Sequence, residues 1–404
     1  MIRVMAFLSL LFISADRLSI ASPLGTVRFV QVLLVLLFAM MFLKNTIKVT
    51  KGVIVFFGVM LLYLSINVMV SHSPIRSTYY LVWFVYNSVF VFVLFSSYIY
   101  VRGFEKFERL YLLAYKIVSC YVILQFILGL FGISDPFFGT NFTLSVPRPY
   151  IWMYEPSYVA TYLTPYFVYS GYNYLSNRMR NYKVDFLLST VALVFTTSTA
   201  GYVVFFGFFL VMLMIHLLRL KIGFVVKFCL VSCLLLFFVF IISKLFVPQL
   251  FDYFMLRLFK YGIAGSAPVR YRKWFEALEV IKQNPIWGVG IGSYGLYING
   301  DVKNVASNIT LEIVAEIGIV GFAIILFGLL LLFSSCLLSE CEQMESEKLK
   351  ALIWSALFLF LILQANQNYM RLYLWLQLAV LYGFVLYVKS KNKKQKLLRV
   401  IGGR

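Results

Sequence analysis

Apolar runs that follow one another almost from end to end constrain this chain more than any other feature. About 20 apolar residues cross a hydrocarbon core of roughly 30 Å, and the 404 residues contain such runs with few interruptions. Hydrophobic residues make up 62% of the chain and charged residues 13%, about half the charged share of a soluble domain. So little polar surface cannot coat a water-soluble particle, and the sequence therefore predicts an all-α polytopic membrane protein.

About 12 segments are expected to form transmembrane helices within a single integral membrane domain, residues 1–404. The seventh and eighth segments are separated only by a polar break at 196–201, where we predict a tight outer turn. The segments are 4–15, 27–43, 53–70, 79–101, 110–131, 156–174, 185–197, 202–218, 224–246, 308–338, 351–365 and 372–388.

Basic residues predict the orientation of these spans, since Lys and Arg in short loops stay on the cytoplasmic side. They gather in alternate loops and in the basic tail 389–404, which holds seven of them. Both termini are therefore predicted to face the cytoplasm, with external loops at 132–155 and 247–307. The basic residues assigned to the cytoplasmic side include Arg3, Lys44, Lys48, Lys51, Arg102, Lys106, Arg109, Arg180, Lys183, Lys348 and Lys350.

The large external loop 247–307 departs from this pattern because it carries seven basic residues. Long loops are exempt from the orientation rule, so the excess needs another reason. One interpretation is a basic loop lying on anionic headgroups. The other is a binding site for an anionic substrate at the outer face.

Part of this loop has the pattern of an amphipathic helix lying on the membrane surface. A Ser-x-Pro sequence at 266–268 indicates the helix start, and Arg270 and Arg272 follow it directly. Free backbone N–H groups at a helix N-terminus and paired guanidinium groups both favour phosphate. The apolar face would comprise residues at i, i+4 and i+7, namely Trp274, Leu278 and Ile281.

A carboxylate stands where the chain enters the sixth span. Glu155 directly precedes Pro156, which fits the first turn of a helix. A charge at that depth is costly unless it is paired or borders a wet cavity. Glu155 is therefore either half of a structural pair with Arg148 or a functional group that deprotonates or orients a sugar hydroxyl.

A polar stripe opens the tenth span, because Asn308, Glu312 and Glu316 recur every four residues on one helix face. Such a stripe must face a wet or protein-lined interior. The last outer turn, 364–371, adds amides and Arg371. Aromatic side chains of the outer segments, among them Tyr294, suit sugar faces, although aromatic belts at membrane interfaces are the alternative.

The segment 290–295 matches G-x-G-x-x-G but lacks the preceding strand and the later acidic residue of a dinucleotide site. Gly288, Gly290 and Gly292 are more plausibly positions where the backbone turns sharply or approaches a ligand closely. The chain has two histidines and no closely spaced acidic pair in its outer loops. We therefore expect no metal and no nucleotide cofactor.

Four motifs occur in order between positions 270 and 321: Arg270-x-x-x-Trp274, Asn-Pro-Ile-Trp-Gly-Val-Gly-Ile-Gly at 284–292, Asn308-x-x-Leu311-Glu312 and Glu316-x-Gly318-x-x-Gly321. Together with Glu155-Pro156-Ser157 and the break at 196–201, they resemble the O-antigen polymerase and ligase superfamily of bacterial envelope enzymes. With the span pattern, the similarity extends over most of the chain.

The resemblance implies a GT-C-like glycosyltransferase architecture whose large external loop contains amphipathic helices. It implies transfer of a glycan from undecaprenyl diphosphate to a sugar hydroxyl of another lipid-linked repeat unit, at the outer face of the bacterial inner membrane. The implied partners are the undecaprenyl-diphosphate-linked oligosaccharide, membrane lipids and a chain-length regulator protein, with no nucleic acid.

Site residues follow from this reaction. We expect Glu155 and Arg270 to act in catalysis, Glu155 on the acceptor hydroxyl and Arg270 on the diphosphate. The expected substrate-binding residues are Arg148, Arg272, Asn308, Glu312, Arg371, Trp274 and Tyr294.

Two positions depart from the superfamily pattern: Ser307 replaces a histidine usual in ligases, and Thr199 replaces an arginine often found in the polar break. The missing histidine favours the polymerase branch. The alternatives are an O-antigen ligase that joins glycan to the lipid A core and, from another class, a lipid-linked oligosaccharide flippase or transporter. A transporter is expected to show repeated halves, and we find no internal repeat.

Overall fold

A computed structural model describes residues 1–22, 25–143, 146–177, 179–218, 223, 266–302, 304–337, 342–365 and 369–402. The chain divides into two compact units, one formed by Met1–Ile117 with Arg272–Arg404 and the other by Val118–Tyr271. Both divisions fall inside helices. The loop segment 247–265 and the predicted ninth span, 224–246, lie outside the described residues.

The described helices account for the other eleven predicted spans and for part of the external loop. They are α1 (Ile2–Phe12), α2 (Phe29–Leu43), α3 (Lys51–Met69), α4 (Pro74–Asn87), which leads through a π-helical stretch Ser88–Val93 into α5 (Leu94–Arg102), α6 (Phe104–Leu130), α7 (Pro156–Leu175), α8 (Lys183–Phe195), α9 (Thr199–Leu218), α10 (Ser266–Gln283), α11 (Tyr294–Asn299), α12 (Ile309–Leu337), α13 (Gln343–Leu363) and α14 (Leu372–Gly402). The prediction of an all-α polytopic membrane protein is confirmed.

Six segments among the described residues are long and apolar enough to cross a membrane: Lys51–Met69, Pro74–Arg102, Phe104–Leu130, Thr199–Leu217, Ile309–Cys336 and Leu372–Lys393. Two shorter apolar helices, Ile2–Phe12 and Phe29–Leu43, accompany them. The total of twelve spans stays a prediction. The polar break after the seventh predicted span is confirmed, because α8 ends at Phe195 and α9 begins at Thr199, with a left-handed Thr197 (φ 51°) between them.

Two short antiparallel hairpins interrupt the helical pattern. Ser19–Ser22 (β1) pairs with Gly25–Arg28 (β2), and Asn141–Thr143 (β3) pairs with Val146–Arg148 (β4). Each hairpin follows an apolar helix and ends near the start of the next one, so each reverses the chain between two helices.

The second unit is built around α7, most of which is buried. Phe167 lies at its centre and contacts the rings of Phe186 on α8 and Phe208 on α9 at centroid distances of 5.7 and 5.0 Å. A buried polar pair lies inside this packing: the Tyr166 hydroxyl donates to Asp185 at 2.8 Å, which satisfies both groups as burial requires. These contacts hold the middle of α7, and Glu155 stands directly before the start of this helix.

The helix predicted on the external loop is confirmed as α10, which begins at Ser266. Its inner side is buried through Ala277 and Val280, against Val289 and Tyr294. Phe275 and Leu278 remain 68% and 41% exposed. That the exposed apolar side lies on a membrane surface stays a prediction.

Candidate functional site

The polar stripe of the tenth predicted span lies on a broken helix. Within α12, Gly318 takes φ 68° and ψ 179°, so the helical hydrogen-bond ladder stops there. The glycine-rich segment 284–293 packs against the break. The Val289 and Gly290 N–H groups donate to the carbonyls of Ala315 and Glu316, both at 2.9 Å. Irregular backbone at membrane depth is tolerated only where protein or water satisfies it, and here the glycine segment does so.

The glycines of this segment adopt the sharply turned backbone that the sequence analysis predicted, and a close approach to a ligand stays a prediction. Gly288, Gly290 and Gly292 all have positive φ, at 70°, 102° and 73°. A Cβ on Gly288 would lie 2.4 Å from the Glu316 carbonyl oxygen, and one on Gly292 would lie 2.3 Å from the Tyr80 ring. The glycine pattern therefore serves close packing of this segment against the backbone of α12 and the Tyr80 side chain.

The Glu316 side chain is held at this junction. It is 3% exposed, and its Oε2 accepts the Gly292 N–H at 2.8 Å and the Tyr369 hydroxyl. One carboxyl group therefore joins the glycine segment, α12 and the turn that precedes α14. A buried carboxyl requires such partners, since an unsatisfied one is costly.

Glu312 lies one helical turn before Glu316 and is also buried, with 5% exposed. It accepts the backbone N–H of Ala306. Its Oε2, however, has no hydrogen-bond partner among the described residues. This buried carboxyl oxygen therefore lacks the hydrogen-bond partner that burial normally requires.

Sequence reasoning missed three side chains around these carboxyl groups. Arg76 on α4 lies within electrostatic range of Glu316, and its guanidinium stacks over the Tyr80 ring at 4.9 Å. The rings of Tyr80 and Tyr369 are 6.5 Å apart. One sequence signal could have identified Arg76. Basic residues are scarce in the short loops predicted to lie outside, so an arginine in one of them is unusual. The carboxyl cluster is defined here as Glu312, Glu316, Arg76, Tyr80 and Tyr369.

Two tyrosines beside the spans have raised pKa values. Burial and then the neighbouring Glu316 hold the pKa of Tyr369 well above its ordinary value. Burial likewise raises the pKa of Tyr294, and Glu276 and Glu312 raise it further. Both hydroxyls therefore stay protonated and donate hydrogen bonds at physiological pH, Tyr369 to Glu316 and Tyr294 to the Lys273 carbonyl at 3.4 Å.

Replacing Tyr369 with phenylalanine is expected to lower the free energy of unfolding by about 1 kcal/mol or more, because Glu316 loses a buried hydrogen bond. The measurement is thermal unfolding of the purified protein in detergent. Tyr79→Phe is the control, since no hydrogen bond from the Tyr79 hydroxyl is found among the described residues. Equal Tm values for the two variants would contradict the assigned hydrogen bond.

The second unit holds the predicted Glu155, Arg148 and Arg270. Glu155 is exposed just before α7 and accepts the Ser157 hydroxyl at 3.0 Å. Arg270, in the first turns of α10, is half-buried, and burial lowers its pKa while Glu155 opposes that effect. The two side chains thus lie within electrostatic range. Arg148 ends β4 and is partly buried; its pairing with Glu155 stays a prediction.

The other predicted site residues have the following positions in the first unit. Arg272 is exposed and pairs with Glu276 at 3.4 Å. Trp274 Nε1 donates to the Ser307 carbonyl at 3.4 Å. Three of the predicted residues, Arg270, Arg272 and Trp274, thus lie on α10. The carboxyl cluster includes only Glu312 of the predicted set.

Asn308 and Arg371 have local structural partners. The Asn308 side chain caps α12, accepting the Leu311 N–H at 3.0 Å, as asparagine commonly does at a helix start. Arg371 is 6% exposed and pairs with the buried Asp16. Their roles in substrate binding stay predictions.

These features define an integral membrane protein with buried carboxyl groups just before a break in a spanning helix. Its second unit places an arginine within electrostatic range of an exposed carboxylate. The family model described as O-antigen ligase matches residues 186–326, about a third of the chain. No curated protein matches with significant similarity.

The match supports similarity to the O-antigen polymerase and ligase superfamily over these residues. The matched range contains Arg270, Arg272, Tyr294 and Glu312 but not Glu155, Arg148 or Arg371. It is shorter than the resemblance drawn from the sequence, and it does not separate polymerases from ligases.

Proposed function

We propose that this protein is a polysaccharide polymerase of the O-antigen type. It would transfer a glycan chain from undecaprenyl diphosphate onto the sugar hydroxyl of another lipid-linked repeat unit. The active site would face the periplasm from the bacterial inner membrane, with both chain termini in the cytoplasm. The observation that carries the proposal is the half-buried Arg270 within electrostatic range of the exposed Glu155.

Arg270 suits the leaving group of this reaction. As the bond between the anomeric carbon and the diphosphate oxygen breaks, the electron pair stays on the diphosphate. A guanidinium binds phosphate oxygens through two parallel hydrogen bonds, and partial burial strengthens its attraction for the growing charge. Arg148 and Arg272 would supply further contacts to the same group.

Glu155 suits the acceptor. Its carboxylate does not cap α7, and its exposure leaves it accessible to a second substrate. It would take the proton of the acceptor hydroxyl as that oxygen forms the new glycosidic bond. The Glu155 carboxylate would then receive the proton, and the neighbouring Arg270 guanidinium would face the negative charge that develops on the diphosphate.

Glu312 would contribute to sugar binding through its unpartnered oxygen, beside Tyr294, Trp274, Asn308 and Arg371. Amide, carboxyl and aromatic groups together provide hydrogen bonds to sugar hydroxyls and a flat surface for sugar rings. A chain-length regulator protein is the proposed protein partner.

The second candidate is an O-antigen ligase, favoured by the description of the matching family model. Deleting the gene separates the candidates. Loss of a polymerase leaves single repeat units on the lipid A core, loss of a ligase leaves no glycan on the core, and loss of a flippase blocks export of the repeat units.

Variants in the deletion strain test the site. We expect Arg270→Ala to slow polymerisation by a factor of about 10²–10³, the usual effect of removing one preorganised donor. The long-chain ladder should therefore be lost from a polysaccharide gel. Glu155→Gln should abolish elongation while donor binding is retained. Lys282→Ala is the matched control, because Lys282 lies on the same helix in an exposed pair with Glu279.

A normal ladder from Arg270→Ala and Arg272→Ala at normal expression would place the diphosphate site elsewhere. Loss of folded protein in Glu155→Gln would instead assign Glu155 to a structural pair.

A further inference from the structure

Four helix ends of the first unit surround a cavity of about 620 Å³. Its position is set by the start of α1, the end of α2, the end of α5 and the start of α6. Gly103, with φ 87°, turns the chain between α5 and α6 and so brings the last two ends together. The lining residues are Met1, Ile2, Arg3, Met40, Leu43, Lys44, Tyr98, Arg102, Lys106 and Arg109.

Half of these lining residues are basic, and all five basic side chains belong to exposed residues. Among the described residues, no acidic side chain lines the cavity. The two carboxylates nearest in sequence bind elsewhere: Glu108 pairs with Lys348 at 2.6 Å, and Glu105 accepts the Tyr387 hydroxyl at 3.1 Å. The cavity therefore keeps a concentrated positive charge.

The remaining lining residues are apolar or aromatic. Met40 and Leu43 extend along the end of α2, and Ile2 and Tyr98 are buried behind the basic rim. A basic rim above an apolar wall fits a ligand that carries phosphate at one end and hydrocarbon at the other. A free phosphate would leave the apolar wall without a partner.

The orientation rule explains why basic residues lie on this face, but not why they converge. Orientation depends on the number of Lys and Arg in a loop, and Lys48 and Lys51 meet that need without lining the cavity. Arg3, Lys44, Arg102, Lys106 and Arg109 come from three separate chain segments. Basic pockets between spanning helices on the cytoplasmic side are suited to anionic lipid headgroups.

We propose that this cavity binds an anionic membrane phospholipid at the predicted cytoplasmic face. The phosphate would contact the five basic side chains, and an acyl chain would follow Met40 and Leu43 into the bilayer. The site is separate from the glycosyl transfer residues and does not depend on the proposed function.

Lipid titration of the purified full chain in detergent, followed by native mass spectrometry, tests the site. We expect phosphatidylglycerol to bind at least about ten-fold more tightly than phosphatidylcholine. Lys106→Gln with Arg109→Gln should weaken phosphatidylglycerol binding by about thirty-fold, and Lys44→Gln alone by about five-fold, since each basic residue near a lipid phosphate contributes about a factor of five.

The matched control is Lys48→Gln with Lys51→Gln, which removes the same charge from the same predicted face. It should change the affinity by less than about three-fold. If the double variant at 106 and 109 fails to fold, Lys44→Gln carries the test, because Lys44 is exposed beyond the end of α2.

Three outcomes would overturn the proposal. Equal weakening by the cavity and control variants would indicate general attraction to the surface. Equal binding of phosphatidylcholine would show that charge has no part. If inorganic phosphate bound as tightly as phosphatidylglycerol in the same titration, the cavity would bind a free anion instead of a lipid.

Discussion

Asp16→Ala is expected to destabilise the protein by about 3–5 kcal/mol, the usual cost of removing one partner of a buried ion pair. Asp16 is 4% exposed and joins two arginines. Its Oδ1 lies 3.1 Å from Arg28 Nε, and its Oδ2 accepts from Arg371 Nη1. Without the carboxylate, two guanidinium groups would face each other in a site with little water.

This triad of Asp16 and two arginines connects distant parts of the first unit. Asp16 precedes the β1–β2 hairpin, Arg28 ends that hairpin, and Arg371 leads into α14. Its loss should therefore loosen both the hairpin and the last span. Thermal unfolding in detergent measures the effect, and Asp16→Asn should lie between the wild type and alanine because the amide oxygen still accepts.

Glu347→Ala is the control for Asp16→Ala. Glu347 pairs with Lys350 three residues on, at the exposed side of α13, and exposed pairs contribute about 0–1 kcal/mol. A Tm for Asp16→Ala within error of this control would show that the buried triad does not hold the hairpin to α14.

Hydropathy predicted the helices because a membrane-spanning helix requires a continuous apolar run of about 20 residues. Such a run is visible in the local sequence. The other two signals were local as well. Thr and Ser residues specify the polar break between α8 and α9, and Ser and Pro specify the helix start at Ser266. Each signal lies within a few residues of the structure it specifies, and each of these predictions is confirmed.

The carboxyl cluster could be predicted only in part. The spacing of Glu312 and Glu316 placed both on one helix face, and both are buried. Their partners could not be read from spacing, because Tyr369 is 53 positions from Glu316 and Arg76 lies on another span. Contacts between spans depend on how the helices pack, which no local pattern records.

The same limit applies to Arg371. Its place among outer-turn amides predicts a substrate ligand, and that role stays a prediction. Its pairing with a residue 355 positions away could not be predicted from the sequence. The break at Gly318 could not be predicted from the sequence either, because glycine is common within membrane helices and does not by itself indicate a break.

Gly318→Ala is expected to prevent stable folding of the first unit. The φ of 68° and ψ of 179° belong to a region that is essentially restricted to glycine, where another residue costs about 1–3 kcal/mol. A Cβ would also lie 2.0 Å from the Ile286 carbonyl oxygen. That backbone cannot move away freely, since the adjacent Pro285 carbonyl accepts the Ile319 N–H at 2.9 Å.

The consequences should extend to the carboxyl cluster. Displacing the glycine segment would remove the N–H groups that Gly290 and Gly292 donate to Glu316. The buried carboxyl would then lose a partner, and leaving such a group unsatisfied costs a further 1–3 kcal/mol, roughly. Size-exclusion chromatography and thermal unfolding in detergent should show little folded protein.

Gly58→Ala is the matched control for this prediction. Gly58 lies in the middle of α3, is exposed, and has no heavy atom within 4 Å of an added Cβ. Alanine there should leave the Tm unchanged or raise it, because alanine favours a helix over glycine by up to about 1 kcal/mol. If Gly318→Ala were as stable as Gly58→Ala, α12 would be continuous at this point. The glycine segment could then not donate to the Ala315 and Glu316 carbonyls, because a continuous helix would use those carbonyls itself.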